Sequence, residues 1–143
     1  MLIEFKAGLK VESFQELFKI TKKMIEEIPK QYTLTTVLGP VTSEDPEVFT
    51  ENLDRLHYKS KQLSEKGWAV LDLTSYQLVY EKLIEKMNIK GYPHIILDDF
   101  MDPLLRSGLF KIIFVRENYR QSFGTSLEHD IALGSDIHIE YFP

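Results

Sequence analysis

The segment at residues 111–115 is the feature that most constrains the fold, because four consecutive large apolar residues follow Lys111 there. A run of this kind lacks the alternation of a half-exposed strand and suits the middle of a parallel sheet. Two further strands are predicted at residues 32–38, which are rich in Thr, Val and Leu, and at residues 68–73, and segments with helical spacing of apolar residues separate the three strands. This alternation of strand and helix predicts a mainly parallel sheet with right-handed crossovers and helices on both faces.

Local signals set the predicted ends of these elements. Asp45 and Pro46 are typical of a helix start, and Gly67 is typical of a helix end. The apolar segment 94–97 fits either an extra strand or a buried lead into a short helix near Asp102. Further elements are predicted as an edge strand at residues 2–5, a helix at 12–29, a helix at about 123–133 and a last strand at 136–142.

The chain length favours one domain. With 143 residues, of which 43% are hydrophobic, the chain can bury a sizeable core but leaves little room for a second one. We therefore predict an α/β fold, specifically a Rossmann-like (flavodoxin-like) three-layer sandwich with a mainly parallel sheet. Residues 1–31 are expected to form an N-terminal strand–helix extension packed on this single domain, which spans residues 1–143.

Composition argues against several classes of function. The formal charge of −5 and the isoelectric point near 5.4 disfavour extended binding to nucleic acid, which normally requires a basic face. No apolar run is long enough to span a bilayer, and the first residues do not follow the layout of a secretory signal. The absence of cysteine excludes disulfides and fits a cytoplasmic protein. The histidines are scattered and no glycine-rich nucleotide motif occurs, so we predict neither a metal nor a cofactor.

The turn that starts at Ser122 is the strongest candidate for a functional site. Ser122 is a preferred residue for opening a helix. Gly124 and Glu128 lie four residues apart and therefore share a face of that helix. The missing side chain at Gly124 is expected to leave room for a ligand beside the Glu128 carboxylate. Ligands of open parallel sheets bind outside the carboxyl ends of the strands, where we expect Gly39, the 111–115 strand and Ser122 to meet.

Four residues of this turn, Ser122, Gly124, Glu128 and Ala132, match the pattern S-x-G-x-x-x-E-x-x-x-A. That pattern resembles the signature of the nucleotide-hydrolysing members of the nucleoside 2-deoxyribosyltransferase superfamily. The likeness is closest to small phage-type deoxyribosyltransferase-like proteins and to 2′-deoxynucleoside 5′-phosphate N-hydrolases, and it covers about residues 32–143.

Two further segments are similar to motifs of the same family and follow in the same order. Leu38-Gly39-Pro40-Val41-Thr42 resembles the family's A-G-P turn, and Asp102 lies where the family keeps an acidic active-site residue. The loop after Pro40 lacks the arginine that nucleotide hydrolases tend to show there, and its Glu44 and Asp45 would repel a phosphate. The arginines that would have to compensate are Arg106, Arg116 or Arg120.

The resemblance implies hydrolysis of the N-glycosidic bond of a (deoxy)nucleoside 5′-monophosphate, with Glu128 as the nucleophile. A carboxylate stabilises the oxocarbenium character of the transition state or attacks the anomeric carbon to form a glycosyl-enzyme. Asp102 would be a second catalytic carboxyl group that either orients the sugar or helps to protonate the departing base. Ser122 would contact the 5′-phosphate together with main-chain N–H groups at the helix start. The other predicted substrate-binding residues are Gly39, Pro40, Gly124, Thr125 and Asn118, the last as part of a lid or of the base pocket.

Each of these residues also has an ordinary interpretation. Ser122 can serve only as a helix N-cap, Asp102 before Pro103 is a common helix start, Gly39 can belong to a simple turn, and Glu128 can be a solvated carboxylate. Two other functions stay open beside hydrolysis. One is a base-exchanging nucleoside deoxyribosyltransferase, and the other is a non-catalytic module that binds or senses a nucleotide.

Family members usually form dimers or larger oligomers in which a neighbouring chain helps to close the active site, so the resemblance implies a homodimer or a higher homo-oligomer. Tyr58, Tyr76 and Tyr80 offer aromatic side chains for such an interface. Alternatively, the helix at residues 12–29 covers the same surface within one chain. His129 points away from Glu128, and we expect it at the surface or in an interface. The expected ligand is a small nucleoside or nucleotide, and neither a nucleic-acid polymer nor a membrane is an expected partner.

Overall fold

One all-parallel sheet organises the computed structural model, which describes residues 1–143. The spatial order of its five strands is β1-β3-β2-β4-β5. The prediction of a Rossmann-like α/β fold with a mainly parallel sheet is therefore confirmed. The strands are β1 (Leu2–Ile3), β2 (Leu34–Leu38), β3 (Ala69–Leu71), β4 (Ile112–Arg116) and β5 (His138–Phe142).

Most of the helices begin where their capping residues predict. The Ser13 hydroxyl accepts a hydrogen bond from the Glu16 N–H before α1, and the Asp45 carboxylate accepts one from the Glu47 N–H before α2. Gly67, with φ of +101°, follows the end of α2 in the left-handed conformation that glycine favours. The helices are α1 (Phe14–Glu26), α2 (Pro46–Glu65), α3 (Gln77–Lys86), α4 (His94–Ile96), α5 (Asp102–Leu105) and α6 (Phe123–Gly134).

The helices cover the two faces of the sheet unequally. The chain runs from β2 back to β3, toward the β1 edge, whereas the other connections run the opposite way. Because crossovers between parallel strands are right-handed as a rule, this order puts α2 on one face of the sheet and the remaining helices on the other. The core divides accordingly into a large cluster that includes side chains from α1, α3, α5 and α6, and a small one around Leu56 and Leu63 of α2.

Two buried threonines join the central strand β2 to its neighbours. The Thr35 hydroxyl donates to the Ile112 carbonyl at 2.8 Å, and the Thr36 hydroxyl donates to the Leu71 carbonyl at 2.7 Å. Each hydroxyl thereby finds an acceptor inside the core, where an unpaired polar group would be costly. These bonds fix β2 between β3 and β4, and the ends of β2 and β4 frame the site described below.

The segment whose structure the sequence left open, residues 94–97, is helical. The chain is helical without interruption from His94 to Leu105, with a π-helical stretch at Leu97–Met101 between α4 and α5. Pro103 has no N–H with which to continue the regular bonding pattern, so a wider turn at this place is physically reasonable. Asp102 is the first residue of α5, as predicted, but the residues before it are already helical.

The N-terminal extension is part of the core. β1 pairs with β3, and Phe14 and Leu17 of α1 are completely buried. Tyr76, which the sequence suggested for an interface, is also completely buried, and its hydroxyl is hydrogen-bonded to Thr21 of α1 at 2.8 Å. That suggestion was wrong for Tyr76, because α1 occupies the surface that the tyrosine was expected to offer. The predicted homo-oligomer stays a prediction.

Candidate functional site

A cavity of about 510 Å³ lies at the point where the strand order reverses. The chain leaves β2 toward β3 on one side and later enters β4 on the other, so the carboxyl ends of β2 and β4 frame a crevice. The volume falls within the roughly 300–1,000 Å³ typical of small-ligand sites. Five of the predicted site residues line this cavity, namely Gly39, Ser122, Gly124, Thr125 and Glu128.

Glu128 is the only acidic residue that lines the cavity. It lies in the second turn of α6 and remains partly exposed to the cavity. Burial alone raises the pKa of its carboxyl group to about 8, and neither a hydrogen bond nor a nearby charge offsets that effect. The group therefore carries a proton in most molecules at neutral pH. An acidic side chain in such surroundings is a common sign of a functional site.

Ser122 caps α6 and lines the cavity at the same time. Its hydroxyl accepts a hydrogen bond from the Thr125 N–H at 3.2 Å, and its carbonyl accepts one from the Ser126 N–H at 2.9 Å. The N–H groups of Phe123 and Gly124 precede the first intrahelical bond, so no acceptor within the helix is available to them. Both residues line the cavity. The start of α6 thus offers main-chain donors to a ligand.

Gly124 allows a close contact with Tyr92. A Cβ atom at position 124 would lie only 2.6 Å from the Tyr92 hydroxyl oxygen. The expectation that this missing side chain leaves free space for a ligand was therefore wrong, because the tyrosine occupies the space. Burial, followed by the nearby Glu128, raises the pKa of Tyr92. The phenol thus stays protonated and shares the cavity wall with the glutamate.

Two aromatic side chains of the cavity wall, Tyr92 and Phe123, belong to a small aromatic cluster. Tyr92 and Phe123 meet edge to face, with ring centroids 5.0 Å apart, and His94 packs against both rings. Phe123 keeps 59% of its surface exposed although it is large and apolar. Tyr80, deeper in the wall, has a pKa well above its ordinary range because of burial and the neighbouring Glu128. These rings offer flat apolar surfaces to a planar ligand.

Gly39 has a packing reason to be glycine as well as a place in the cavity wall. A Cβ atom there would lie 2.7 Å from a methyl carbon of Leu56 and 3.1 Å from the Cβ atom of Arg116. α2 and β4 therefore approach the end of β2 more closely than any larger residue would permit. The glycine of the predicted G-P turn is required for this packing whether or not a ligand binds.

The structure does not bring every predicted site residue to the cavity. Pro40 is buried beside it but does not line it. The Asp102 carboxylate lies outside the cavity and accepts a hydrogen bond from Arg106. Asn118 also lies outside, and its side-chain oxygen is buried without a hydrogen-bond partner. The roles predicted for these three residues stay predictions.

His129 is buried, contrary to the expectation of a surface or interface position. Its ring stacks on Tyr119 with centroids 4.1 Å apart, and its Nε2 atom lies 2.7 Å from the Tyr141 hydroxyl. Its Nδ1 atom lies 2.9 Å from a carboxylate oxygen of Asp130. The sequence suggested otherwise because β5 and the 119–121 turn cover this face of α6 only in the folded chain.

A buried carboxylate behind the cavity wall, that of Asp72, was not predicted from the sequence. Asp72 is 1% exposed at the end of β3, where its side chain lies 2.5 Å from the His57 ring nitrogen. Its other oxygen accepts hydrogen bonds from the N–H and the hydroxyl of Thr74, which lines the cavity. This cluster connects α2 to the turn after β3. It therefore fixes one wall of the cavity without facing into it.

The tyrosines and Phe123 were the other residues that the sequence did not single out for the site. Phe123 carried a weak signal, because a large apolar residue directly after an N-cap has no place on the buried stripe of α6. Tyr92 carried none, since its contact with Gly124 joins segments that are 32 positions apart. No residue of α1 lines the cavity, so this helix does not cover the crevice.

No three side chains of the types that bind metal ions come together in a suitable group. None of the helices combines the length and the apolar character that crossing a membrane would require.

Comparison of the chain with models of protein families, with curated proteins and with solved structures finds no match in any of the three.

Proposed function

We propose that the protein binds a (deoxy)nucleoside 5′-monophosphate in the cavity between the ends of β2 and β4 and hydrolyses its N-glycosidic bond. The observation that carries this proposal is the position of Glu128, whose carboxyl group has no partner in the protein and faces a ligand-sized cavity. Such a group is costly to bury, so a role toward a ligand accounts for it better than a role in folding. The motif resemblance of the Ser122 turn supports the class of substrate.

The proposed reaction has two steps with Glu128 as the nucleophile. In the first, a carboxylate oxygen attacks the anomeric carbon while the bond to the base breaks. The base leaves with the bonding electron pair and takes a proton from solvent. In the second step, water attacks the same carbon, the ester bond to Glu128 breaks, and the sugar phosphate leaves. One proton from that water returns to solvent, so the carboxylate is restored.

The walls of the cavity suit the two halves of a nucleotide. Phe123 and Tyr92 line the cavity and are both partly exposed, so a planar base can stack on their rings. Phe123 and Gly124, whose N–H groups have no acceptor within α6, line the same cavity, so these groups can donate to a phosphate or a sugar oxygen. The cavity volume of about 510 Å³ leaves room for a ligand of this size together with water.

We expect turnover to rise with pH between pH 6 and 8. A pKa of about 8 means that the nucleophilic carboxylate is the minor form below that pH, about 10% of molecules at pH 7. kcat/KM should therefore increase about tenfold per pH unit from pH 6 and level off above pH 8. Initial rates of base release over this range, at constant ionic strength, measure the effect. A rate that falls as pH rises would instead assign Glu128 the role of a proton donor.

Ser122→Ala is expected to cost about 1 kcal/mol of stability through the lost cap. It should also weaken binding of a nucleoside 5′-monophosphate more than binding of the free nucleoside. The matched control is Ser13→Ala, because Ser13 caps α1 in the same way, with a 3.1 Å bond, outside the cavity. Urea unfolding and calorimetric titration measure the two effects. If Ser122→Ala and Ser13→Ala lost the same affinity for the nucleotide, Ser122 would act only as a helix cap.

A second candidate function is nucleotide binding without catalysis. It is favoured by the absence of any second carboxyl group in the cavity wall, since Asp102 lies elsewhere and pairs with Arg106. No side-chain carboxylate is therefore available beside Glu128 to protonate the departing base. Base exchange is the third possibility, because a glycosyl ester on Glu128 can react with another base as well as with water.

One experiment separates the three functions. The protein is incubated with a mixture of the four deoxynucleoside 5′-monophosphates, with and without free acceptor bases, and the products are analysed by chromatography. Release of base together with deoxyribose 5-phosphate indicates hydrolysis. A new nucleotide that forms only with added base indicates transfer. Binding detected by calorimetry without any product indicates a binding module and contradicts the proposed reaction.

A further inference from the structure

A second cavity, of about 410 Å³, lies between α3 and the segment that follows β1. Its volume also falls within the range typical of small-ligand sites. One wall is formed by residues of the segment 5–12, which we call the strap, and the other by one face of α3 with the turn before it. None of its lining residues lines the cavity that contains Glu128. The proposed function therefore leaves this second cavity without a role.

The strap is tied to the α3 side of the cavity at both ends. The N–H group of Phe5 donates to the Ser75 hydroxyl at 2.9 Å. The ammonium group of Lys86, the last residue of α3, donates to the Glu12 carboxylate. Ser75 and Lys86 are 11 positions apart, which is about 16 Å along a helix. The strap is thus held over the cavity at two separated points, and the space between them suits an elongated small molecule.

Two large aliphatic side chains that line this cavity are exposed. Leu78 of α3 keeps 56% of its surface exposed, and Leu9 of the strap keeps 47%. Val79 and Leu83, which line the same cavity from α3, are buried in the core. A ligand that covered Leu9 and Leu78 would remove apolar surface from water and would be stabilised by the hydrophobic effect. The cavity therefore favours a ligand with an aliphatic part.

Lysine side chains give the same cavity a positive charge. Three of them line it, namely Lys10, Lys82 and Lys86, and Glu12 is the only acidic residue that does. Lys86 pairs with Glu12, whereas Lys10 and Lys82 take part in none of the ion pairs of the structure. The lining residues therefore carry an excess of two positive charges, in a chain whose net charge is −5. Such a local field attracts an anion and disfavours a cation.

We propose that this cavity binds a small amphipathic anion, a molecule with an aliphatic chain and one anionic head group. The chain would lie against Leu9 and Leu78, and the head group would meet the ammonium groups of Lys10 and Lys82. A carboxylate and a phosphate ester share the chemistry that lysine recognises, because the ammonium group acts as a point charge. A partner helix, with a diameter of about 10 Å, fits less well, since the strap is tied down at both ends. The site is independent of the proposed nucleotide function.

Calorimetric titration of the unmodified protein with four probes tests the class of ligand. Octanoate and octyl phosphate carry the same chain with different anionic head groups, octylammonium carries that chain with a positive charge, and acetate has a head group without the chain. We expect saturable binding of at least one of the two octyl anions, and the tighter one identifies the head group. Octylammonium and acetate should bind at least about tenfold more weakly, because each lacks one of the two contributions.

Substitutions then locate the site. Lys10→Gln/Lys82→Gln should weaken binding of the octyl anion at least about tenfold, and Leu78→Ser should weaken it at least about fivefold. The matched control is Lys23→Gln/Lys61→Gln, which removes the same charge from exposed positions on α1 and α2 outside both cavities. It should change the affinity by no more than about twofold. All the substituted side chains are exposed, so we expect the fold to be retained, as circular dichroism would verify.

Several results would overturn the proposal. Absence of saturable binding of both octyl anions, or equally tight binding of octylammonium, would exclude an amphipathic anion as the ligand. An equal loss in Lys23→Gln/Lys61→Gln would reduce the effect to overall charge. A loss in Phe123→Ala without a loss in Lys10→Gln/Lys82→Gln would assign the anion to the other cavity. Affinity for a deoxynucleoside 5′-monophosphate should be unchanged in Lys10→Gln/Lys82→Gln, because neither lysine lines that cavity, and a parallel loss would contradict two separate sites.

Discussion

Glu128→Gln is expected to lower the rate of base release by at least about a thousandfold while the nucleotide still binds. Glutamine has nearly the same shape as glutamate, but its amide cannot form the glycosyl ester that the proposed first step requires. Single-turnover assays with chromatographic detection of the free base measure the loss. Glu85→Gln is the control, because Glu85 is exposed on α3 and does not line the cavity. A Glu128→Gln variant with normal turnover would disprove the mechanism.

The same substitution should raise thermal stability in a pH-dependent way. The pKa of Glu128 is about 8 in the folded protein and near 4.5 when the group is solvated, so the folded state binds one proton more between these values. Stability of the unmodified protein therefore falls as pH rises from about 4.5 to 8. Glutamine removes this dependence. We expect melting temperatures to agree at pH 4 and the variant to melt roughly 10–15 °C higher at pH 8.

Asp72→Ala is expected to destabilise the protein by about 3 kcal/mol. The substitution removes a carboxylate that is 1% exposed and leaves His57 and the N–H and hydroxyl of Thr74 without their shared partner. Urea unfolding followed by circular dichroism gives the free energy of unfolding. A loss this large should lower the melting temperature by roughly 10 °C in a chain of this length.

His57→Ala removes the more exposed member of this cluster. Comparing it with Asp72→Ala therefore shows what the buried carboxylate contributes. The His57 side chain is 43% exposed, so water can replace part of what the imidazole provides. We expect a loss of about 1 kcal/mol for this variant. If Asp72→Ala and His57→Ala were equally mild, the carboxylate would not organise the turn after β3, and the cavity wall at Thr74 would need another explanation.

The strands, and the crevice at which the motifs come together, can be predicted from the sequence. The reasons are physical: short apolar segments identify the strands, and general rules of sheet topology order them. Apolar runs such as 111–115 identify buried strands, and the rule that crossovers are right-handed fixes the side on which each helix lies. The reversal of strand order next to β2 then brings Gly39 and Ser122 to one crevice, although 83 positions separate them. Glu128 reaches the same crevice because the cap at Ser122 sets where α6 begins and therefore where Glu128 lies along it.

Other parts of the site depend on contacts that no local pattern encodes. Tyr92 fills the space beside Gly124, and a glycine in a sequence does not reveal whether a ligand or a side chain will occupy the space it leaves. The position of His129 was misjudged because β5 and Tyr119, which bury it, lie outside its own helix. Asp102 was placed in the site by a motif, whereas its side chain turns to Arg106 one helical turn further on.

The single helix on the second face of the sheet has a consequence for motion. α2 is held mainly by Leu56, Leu63 and the small cluster beneath them, so separating it from the sheet exposes less apolar surface than disrupting the opposite layer. Its amide hydrogens should therefore exchange with solvent through an opening that is less costly than global unfolding. Leu53 and Leu56 also form part of the cavity wall, and Asn52 holds the loop after β2. A bound ligand that touches this wall would suppress the separation of α2 from the sheet. Ligand binding in the crevice and the opening of α2 are therefore thermodynamically linked.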